Sequence, residues 1–256
     1  MGVGYEGRIG RYSTSLAVAF LEFVDVAPCS IPLGSRALDV GCGPGALTAQ
    51  LAARLGPEHV TAVDTAPEDV TTCRGRLPGV DVREAAAEAL PFPAGAFDVV
   101  VAQLLVALLA DPAAGVGEMR RVARTGGTVA ACSWDFADGM RVVRAFWDAA
   151  VARDPSARAW DPADKPASTP PALRALFESA GLRSVGIGEL TARADYTDFD
   201  DLWEPLVAPD GPPGAYWAEL TAADRSAVRD DVWRRLDRPA GAFPLTARAW
   251  CVRGTA

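Results

Sequence analysis

A glycine-rich loop lies between a short apolar run and a run with helical spacing, and this order restricts the possible folds more than any other part of the sequence. Residues 36–40 are apolar enough for a buried strand, Gly41, Gly43 and Gly45 follow, and residues 46–55 have helical spacing. Glycines let the backbone approach a ligand closely, and a helix N-terminus presents unpaired N–H groups beside it. This order is typical of the first unit of an open α/β sheet, which binds ligands at the carboxyl ends of its strands.

The rest of the chain continues the alternation of strands and helices. Further strands are predicted at 59–64, 80–83, 97–102, 128–134, 182–191 and 243–252. Helices are predicted at 12–27, where Pro28 stops the helix, and at 67–76, 111–123, 139–151, 171–180 and 198–237, with a Pro/Asp-rich loop at 154–171. Alternation of this kind predicts right-handed crossovers and a parallel sheet. The fold class is therefore α/β: a Rossmann-like, seven-stranded, mostly parallel sheet with helices on both faces and helical insertions.

Composition excludes several classes of partner. The net charge of −8 opposes binding to nucleic acid or an anionic membrane, and no apolar run is long enough to span a bilayer. Five scattered cysteines and a single histidine, His59, favour reduced thiols over disulfides and predict no metal site. The polar N-terminus does not resemble a signal peptide. We therefore expect a cytoplasmic protein, monomeric or homodimeric, that acts on a small molecule.

The glycine loop alone is compatible with two ligands. Gly41, Gly43 and Ala46 also fit the G-x-G-x-x-G/A pattern of dinucleotide sites. Asp39, two residues upstream, can receive an ammonium group but would repel a pyrophosphate. Asp64, at the end of the second strand, can accept ribose hydroxyls from either ligand. The acid upstream of the loop therefore favours a cationic ligand.

A hydride-transfer enzyme also needs a proton donor beside its substrate, often a lysine or a histidine. The sole lysine, Lys165, and the sole histidine, His59, are predicted in loops away from the strand ends. An NAD(P)-dependent oxidoreductase is therefore the less favoured alternative.

Several further blocks follow the loop in a fixed order and spacing. They are Leu38-Asp39-Val40-Gly41-Cys42-Gly43-Pro44-Gly45, Val63-Asp64, Ala87-Glu88-Ala89-Leu90-Pro91-Phe92-Pro93, Phe97-Asp98-Val99-Val100, and Glu118-Met119-Arg120-Arg121-Val122 with Gly126-Gly127. With them, residues 36–134 resemble the class I S-adenosylmethionine-dependent methyltransferases of the ubiquinone/menaquinone-biosynthesis type. The resemblance implies S-adenosylmethionine as cofactor, S-adenosylhomocysteine as product, and methyl transfer to O, N or C of a small molecule.

The resemblance also implies roles for particular residues. Asp39 and the backbone of Gly41 and Gly43 would contact the methionine end, and Asp64 the ribose. Gln103 would lie beside the methyl group. The implied cofactor-binding set is Arg11, Tyr12, Asp39, Gly41, Cys42, Gly43, Asp64, Thr65, Ala87, Glu88 and Gln103.

Two further contacts are implied, one at each end of the cofactor. Arg11 or Tyr12 would reach the methionine carboxylate. Ala87 and Glu88 would flank the adenine, but Ala86 replaces the acid that usually accepts from the adenine amino group. Adenine recognition would therefore rest on backbone groups.

The domain organisation follows from these assignments. Residues 1–256 are predicted to form a single methyltransferase domain. Within it, we expect a cap segment (1–35), a cofactor-binding core (36–135) and two helical lid insertions (136–168 and 196–240).

Catalysis is predicted to rest on alignment of donor and acceptor. Asp135 and Gln103 are the candidate catalytic residues, although Asp135 fits a helix-entry cap equally well, and His59 is expected at the surface. The candidate substrate-binding rings are Trp134, Phe136, Trp147, Trp203 and Trp217, which fit either an acceptor pocket or the core of a lid. A protein that binds S-adenosylmethionine without catalysis would show the same pattern through residue 134.

Overall fold

The computed structural model of the protein describes residues 9–26, 34–209 and 211–256. The helix stop predicted at Pro28 and part of the predicted cap segment lie outside these residues. The chain divides into two compact units. The sheet unit comprises Thr14–Trp134, Pro166–Leu190 and Ala249–Ala256, and the helical unit comprises Met1–Ser13, Asp135–Lys165 and Thr191–Arg248. Among the described residues, no helix is long and apolar enough to cross a membrane.

Seven strands form one sheet. They are β1 (Ala37–Val40), β2 (Val60–Asp64), β3 (Asp81–Glu84), β4 (Phe97–Gln103), β5 (Ala123–Trp134), β6 (Arg183–Tyr196) and β7 (Phe243–Thr255). Their order is β3-β2-β1-β4-β5-β7-β6. Neighbours from β3 through β5 are parallel, and β7 is antiparallel to β5. The predicted Rossmann-like, mostly parallel sheet of seven strands is confirmed.

Nine α-helices are present in the described residues. They are α1 (Ser13–Val24), α2 (Ala46–Leu55), α3 (Pro67–Arg76), α4 (Pro112–Val122), α5 (Arg141–Arg153), α6 (Pro170–Ser179), α7 (Phe199–Leu206), α8 (Pro212–Glu219) and α9 (Ala222–Arg235). Proline in the first turn of α3, α4, α6 and α8 replaces an N–H group that would have no helical partner. Asp111 also caps α4, its side chain accepting from the Ala114 amide at 3.0 Å.

Helices cover both faces of the sheet in the sheet unit. On one face, Met119 of α4 and Phe177 of α6 belong to the same buried cluster as Val252 of β7. Cys251, the residue before Val252, points to the opposite face because strand side chains alternate. There, a Cβ on Gly188 would lie 2.9 Å from the Cys251 sulfur and 2.7 Å from Phe23 of α1. The absence of a side chain at Gly188 lets α1 pack closely against this face.

The helical unit has its own core and its own charge pairs. Helices α5 and α9 pack against each other. Arg144 of α5 donates to the carboxylate of Asp161 at 3.1 Å, and the Asp161 side chain is only 1% exposed. Side chains of Asp198 and Thr221 cap α7 and α9.

Several predicted boundaries were wrong, including the end of the sixth strand, which was predicted at residue 191 and extends to Tyr196. The helix predicted over 198–237 is three helices, because Pro205 lies in the last turn of α7, Pro212 opens α8 and Thr221 begins a new cap. The 154–171 loop contains two 3-10 helices, Pro155–Trp160 and Pro162–Asp164. Strand β5 begins at Ala123, five residues early, and a register shift between Phe97 and Val99 accommodates the extension.

Candidate functional site

The glycine loop, residues 41–45, joins β1 to α2 in the sheet unit. The amides of Gly41 and Cys42 both donate to the Val63 carbonyl of β2, at 2.8 and 3.0 Å. Gly41 and Gly43 have φ of +74° and +52°, a region that favours glycine. A Cβ on Gly41 would lie 2.9 Å from Leu105, whereas a Cβ on Gly43 would meet nothing within 4 Å. The positive φ and the contact with Leu105 thus both favour glycine at position 41, and Gly43 borders open space.

Asp39 lies beneath this loop in β1 and is completely buried. Its Oδ2 accepts a hydrogen bond from the Thr48 hydroxyl of α2 at 2.6 Å. Its Oδ1 has no hydrogen-bond partner in the described part of the chain. Burial raises the pKa of Asp39 to about 7; the Thr48 hydrogen bond opposes this rise and the charge of Asp64 adds to it. The site therefore holds an acid poised near neutrality.

Asp64, at the end of β2, is the second carboxylate of the site. Its Oδ2 accepts from the Gly43 amide at 2.8 Å, and its Oδ1 accepts from the Ala66 amide at 3.0 Å. Thr65 follows in an exposed bend. Asp64 thus fixes the middle of the glycine loop and adds negative charge to it.

Two thiols extend the polar groups around the loop. Cys73 of α3 donates to the Thr48 hydroxyl oxygen at a sulfur–oxygen distance of 3.9 Å. Hydrogen bonding with Cys73 and burial raise the pKa of the Cys42 thiol, which therefore stays protonated. Cys42 contributes to the loop as a neutral, buried group.

Strand register aligns further predicted residues with Asp39. Asp39 pairs with Val101 of β4, so Gln103, two residues on, shares its face of the sheet. Gln103 pairs with Cys132 of β5, and Trp134, again two residues on, continues that face. Gln103 is half-buried and Trp134 is 3% exposed. The carboxyl ends of three neighbouring strands therefore contribute an acid, an amide and an indole to one face.

The segment predicted to flank adenine follows β3. The Ala85 amide donates to the Asp64 carbonyl at 2.9 Å, and the Ala89 amide donates to the Ala86 carbonyl at 3.2 Å. Ala87 is buried and Glu88 is half-buried. These backbone bonds hold the segment in a turn beside the end of β2.

Helix α4 anchors the loop that follows this segment. Glu118 accepts from the Leu90 amide at 2.9 Å, and Arg121 donates to the carbonyls of Leu90 and Phe92 at 2.9 and 2.8 Å. Glu118 and Arg121 also form an ion pair. The sequence contained both blocks, but reasoning from it assigned no contact between them.

Arg11 and Tyr12 belong to the helical unit, where both make contacts that were not predicted. Arg11 donates to the Asp201 carboxylate at 2.9 Å and lies 5.1 Å from the centre of the Tyr196 ring. The hydrogen bond from Arg11 lowers the pKa of Asp201 to about 2. The Tyr196 hydroxyl donates to that of Tyr12 at 3.3 Å, and burial raises the pKa of Tyr12.

Asp135, a candidate base, is buried in the helical unit against an arginine. Its Oδ2 accepts from Arg248 at 2.8 and 2.6 Å, and its Oδ1 accepts from the Asp138 amide at 3.1 Å. These bonds favour the structural alternative for Asp135. His59 is one-third exposed, with its Nε2 3.7 Å from the Glu58 carboxylate.

The other four predicted substrate rings lie in the helical unit, and three of them, Trp147, Trp203 and Trp217, belong to a ring cluster that also includes Phe146. Ring centres are 5.0 Å apart for Phe146 and Trp147, 6.3 Å for Phe146 and Trp203, and 5.0 Å for Trp203 and Trp217. Trp147, Trp203 and Phe136 are buried, whereas Trp217 is half-buried. Trp147 and Trp203 thus form core of this unit, and Trp217 offers partly exposed ring surface.

Comparison with known proteins identifies the sheet unit. The methyltransferase domain family matches residues 38–131. The chain is 39% identical over 94 residues to 2-methyl-6-phytyl-1,4-hydroquinone methyltransferase 2 of Oryza sativa, covering 36% of this chain and 27% of that protein. It is 28% identical over 191 residues to the Synechocystis 2-methyl-6-phytyl-1,4-hydroquinone methyltransferase, covering 71% and 58%. The chain thus spans less than two thirds of either relative.

Solved structures share the fold. The YcgJ protein of Bacillus subtilis matches with a TM-score of 0.59 at 15% identity, over 93% of this chain and 97% of that one. Phosphoethanolamine N-methyltransferase 2 of Haemonchus contortus, solved with S-adenosyl-L-methionine, matches with a TM-score of 0.56 at 14% identity, over 93% and 52%. Residues 38–131, which contain the glycine loop and its strands, thus match a methyltransferase domain, and the solved structures share its fold.

Proposed function

We propose that this protein transfers the methyl group of S-adenosylmethionine to a small-molecule acceptor. The observation that carries the proposal is the pair of carboxylates, Asp39 and Asp64, at the glycine loop. Within the described residues, neither forms an ion pair with an arginine or lysine. S-adenosylmethionine brings a sulfonium and an ammonium to such a site, whereas a pyrophosphate would be repelled. The acids therefore favour this cofactor over NAD(P), which the glycine spacing alone would also allow.

The residues present fit the cofactor. Oδ1 of Asp39 is a buried acceptor without a partner in the described chain, and a side chain at Gly43 would occupy open space. Asp39 and the backbone of Gly41, Cys42 and Gly43 would hold the methionine end. Asp64 and Thr65 would hold the ribose, and Ala87 and Glu88 the adenine.

Alignment would carry most of the catalysis. The bound sulfonium supplies an activated methyl group, so the protein needs to orient the acceptor and exclude water. Gln103, at the end of β4 on the face of Asp39, would orient the acceptor side of the site. Asp135 is occupied by Arg248 and the Asp138 amide, which argues against its use as a base.

The acceptor class we favour is a flat aromatic ring, such as a hydroquinone. Two relatives are named as methyltransferases of a phytyl hydroquinone. Trp134 extends the same face of the sheet beyond Gln103 and provides an aromatic surface there. A cytoplasmic location, a monomeric or homodimeric state and the division into cap, core and lids belong to the same proposal.

The test compares ligands and then acceptors. Calorimetry should show binding of S-adenosylhomocysteine and none of NAD⁺. Incubation with S-adenosylmethionine and alkylated hydroquinones should then release S-adenosylhomocysteine, detected by mass spectrometry, with phosphoethanolamine as the non-aromatic comparison. Binding without release with any acceptor would support a non-catalytic binding protein. Binding of NAD⁺ alone would refute the proposal.

Trp217 is the substrate candidate of the helical unit whose substitution is most informative. Trp217→Ala should raise KM for the aromatic acceptor and leave the affinity for S-adenosylhomocysteine unchanged. Trp233→Ala is the matched control, because Trp233 is 36% exposed on α9. Equal KM values for the two variants would remove Trp217 from the acceptor site.

A further inference from the structure

Thr48 of α2 is absent from the set of cofactor residues that the sequence implies, yet it is completely buried against Asp39. We propose that Thr48 is a positioning residue: its hydroxyl holds Oδ2 of Asp39 and leaves Oδ1 to accept from the cofactor's ammonium group. The inference rests on the proposed function, because it concerns the same cofactor.

The hydrogen bonds around Thr48 direct its hydroxyl proton to Asp39. The Thr48 oxygen lies 2.6 Å from Oδ2 of Asp39, a short distance typical of a hydroxyl that donates to a carboxylate. The same oxygen accepts from the Cys73 thiol. Thr48 therefore receives a hydrogen bond from α3 and directs its own proton at Asp39, which fixes the rotation of the carboxylate.

Thr48 also favours the charged form of Asp39. It occupies the third position of α2, where the helix N-terminus stabilises negative charge. Both its hydroxyl and its amide act to lower the pKa of Asp39 against the effect of burial. Without these donors, Asp39 would be protonated at neutral pH and could not pair with an ammonium.

Four other titratable groups face Asp39 from the surrounding elements. They are Asp64 at the end of β2, Cys42 in the glycine loop, Cys73 on α3 and Cys132 on β5. Burial raises the pKa of the Cys132 thiol above its usual range, and Cys42 likewise remains protonated. Cys73 differs, because hydrogen bonding with Cys42 lowers the pKa of its thiol toward neutrality. Asp39 and Cys73 are therefore the two groups whose pKa shifts toward neutrality, and of the two only Asp39 would accept from the ammonium.

Two ligands separate this role from a structural one. S-adenosylhomocysteine carries the ammonium, and 5′-methylthioadenosine has the same nucleoside without the amino-acid end. With the pKa of Asp39 at about 7, the ratio of the two affinities should fall about tenfold between pH 8 and pH 6 in the unmodified protein. Affinity for 5′-methylthioadenosine should change little over that range.

Variants at Thr48 then test the hydroxyl. Thr48→Val should move the midpoint of the pH dependence upward by about one unit and reduce the affinity ratio at pH 7 about fivefold or more. Thr48→Ser, which keeps the hydroxyl, should restore both. Thr61→Val, at another buried threonine in β2, is the matched control and should change neither.

The outcomes are distinct. Equal losses for both ligands in Thr48→Val, an unchanged midpoint, or a failure of Thr48→Ser to restore it would overturn the positioning role. If Thr48→Val does not fold, Thr48→Ala, which also removes the hydroxyl, takes its place in the same comparison. Absence of S-adenosylhomocysteine binding in the unmodified protein would instead refute the proposed function itself.

Discussion

The two compact units treat their buried acids in opposite ways. In the helical unit, the acids with the most buried side chains, Asp135 and Asp161, are each bound by an arginine, Arg248 and Arg144. In the sheet unit, Asp39 is more deeply buried than either, yet it accepts from a neutral hydroxyl and keeps one oxygen without a partner in the described chain. Burying a charge without a counter-charge opposes folding. The acids of the helical unit therefore stabilise that unit, whereas the uncompensated charge of Asp39 opposes folding unless a cation binds beside it.

The largest expected effect is on the stability of the unliganded protein. The pKa of Asp39 is raised to about 7 in the folded state and is about 4 when unfolded, so the folded state holds the proton more tightly. Its contribution to stability is therefore present below pH 4 and is lost as pH rises towards 7. Urea unfolding should show Asp39→Asn gaining about 3 kcal/mol over the unmodified protein between pH 5 and pH 8.

If the difference in the free energy of unfolding did not change with pH, Asp39 would not be a buried charge without a counter-charge, and the contrast between the two units would be wrong. Asp81→Asn serves as control, since Asp81 is an exposed acid on β3. It should leave the pH profile of unfolding unchanged over the same range.

Asp39→Asn should have a slightly smaller effect on the binding free energy of the cofactor than on the free energy of unfolding. Asp39→Asn removes the negative charge that would meet the cofactor's ammonium. We expect the Kd for S-adenosylhomocysteine to rise about 100-fold at pH 8, the scale of a lost charge-assisted bond in a buried site. Calorimetry measures the change, and an unchanged Kd would assign Asp39 to structure alone.

The two candidate acids of the sheet unit could be predicted from the sequence because the signals for them are local. The glycine spacing, the acids at two strand ends and the apolar strand runs each lie within a few consecutive residues, so Asp39 and Asp64 could be identified. The partners of these acids depend on tertiary packing. By sequence, Thr48 does not differ from other threonines predicted in helices, such as Thr71 and Thr72, and only the folded chain brings it to Asp39.

The contacts of the helical unit were harder to predict because they join residues that are far apart in the sequence. Asp135 could serve as base or cap until Arg248, 113 residues away, was found to bind it. The helical spacing of residues 198–237 concealed two breaks, one between Pro205 of α7 and Pro212 of α8 and one at the Thr221 cap of α9. Contacts between distant residues leave no periodic signal in the chain.

Asp135→Asn tests whether Asp135 stabilises the helical unit or acts as the catalytic base. The variant weakens an ion pair whose Asp135 side chain is 6% and Arg248 side chain 31% exposed. We expect a loss of about 2 kcal/mol in the free energy of unfolding, below the range for fully buried pairs because Arg248 keeps access to water. The value of kcat should stay within about threefold. A folded variant with kcat reduced about 100-fold or more would make Asp135 the catalytic base.

Arg11→Met should have the smallest effect on the free energy of unfolding. The ion pair with Asp201 is partly exposed, so its loss should cost about 1 kcal/mol or less. Because Arg11 lowers the pKa of Asp201 to about 2, this stability is present above about pH 4 and is lost as pH falls towards 2. Arg193→Met, at an exposed pair on β6, should cause no measurable change. If Arg11→Met also raised the Kd for S-adenosylhomocysteine more than about tenfold, Arg11 would have a role in cofactor binding in addition to its ion pair with Asp201.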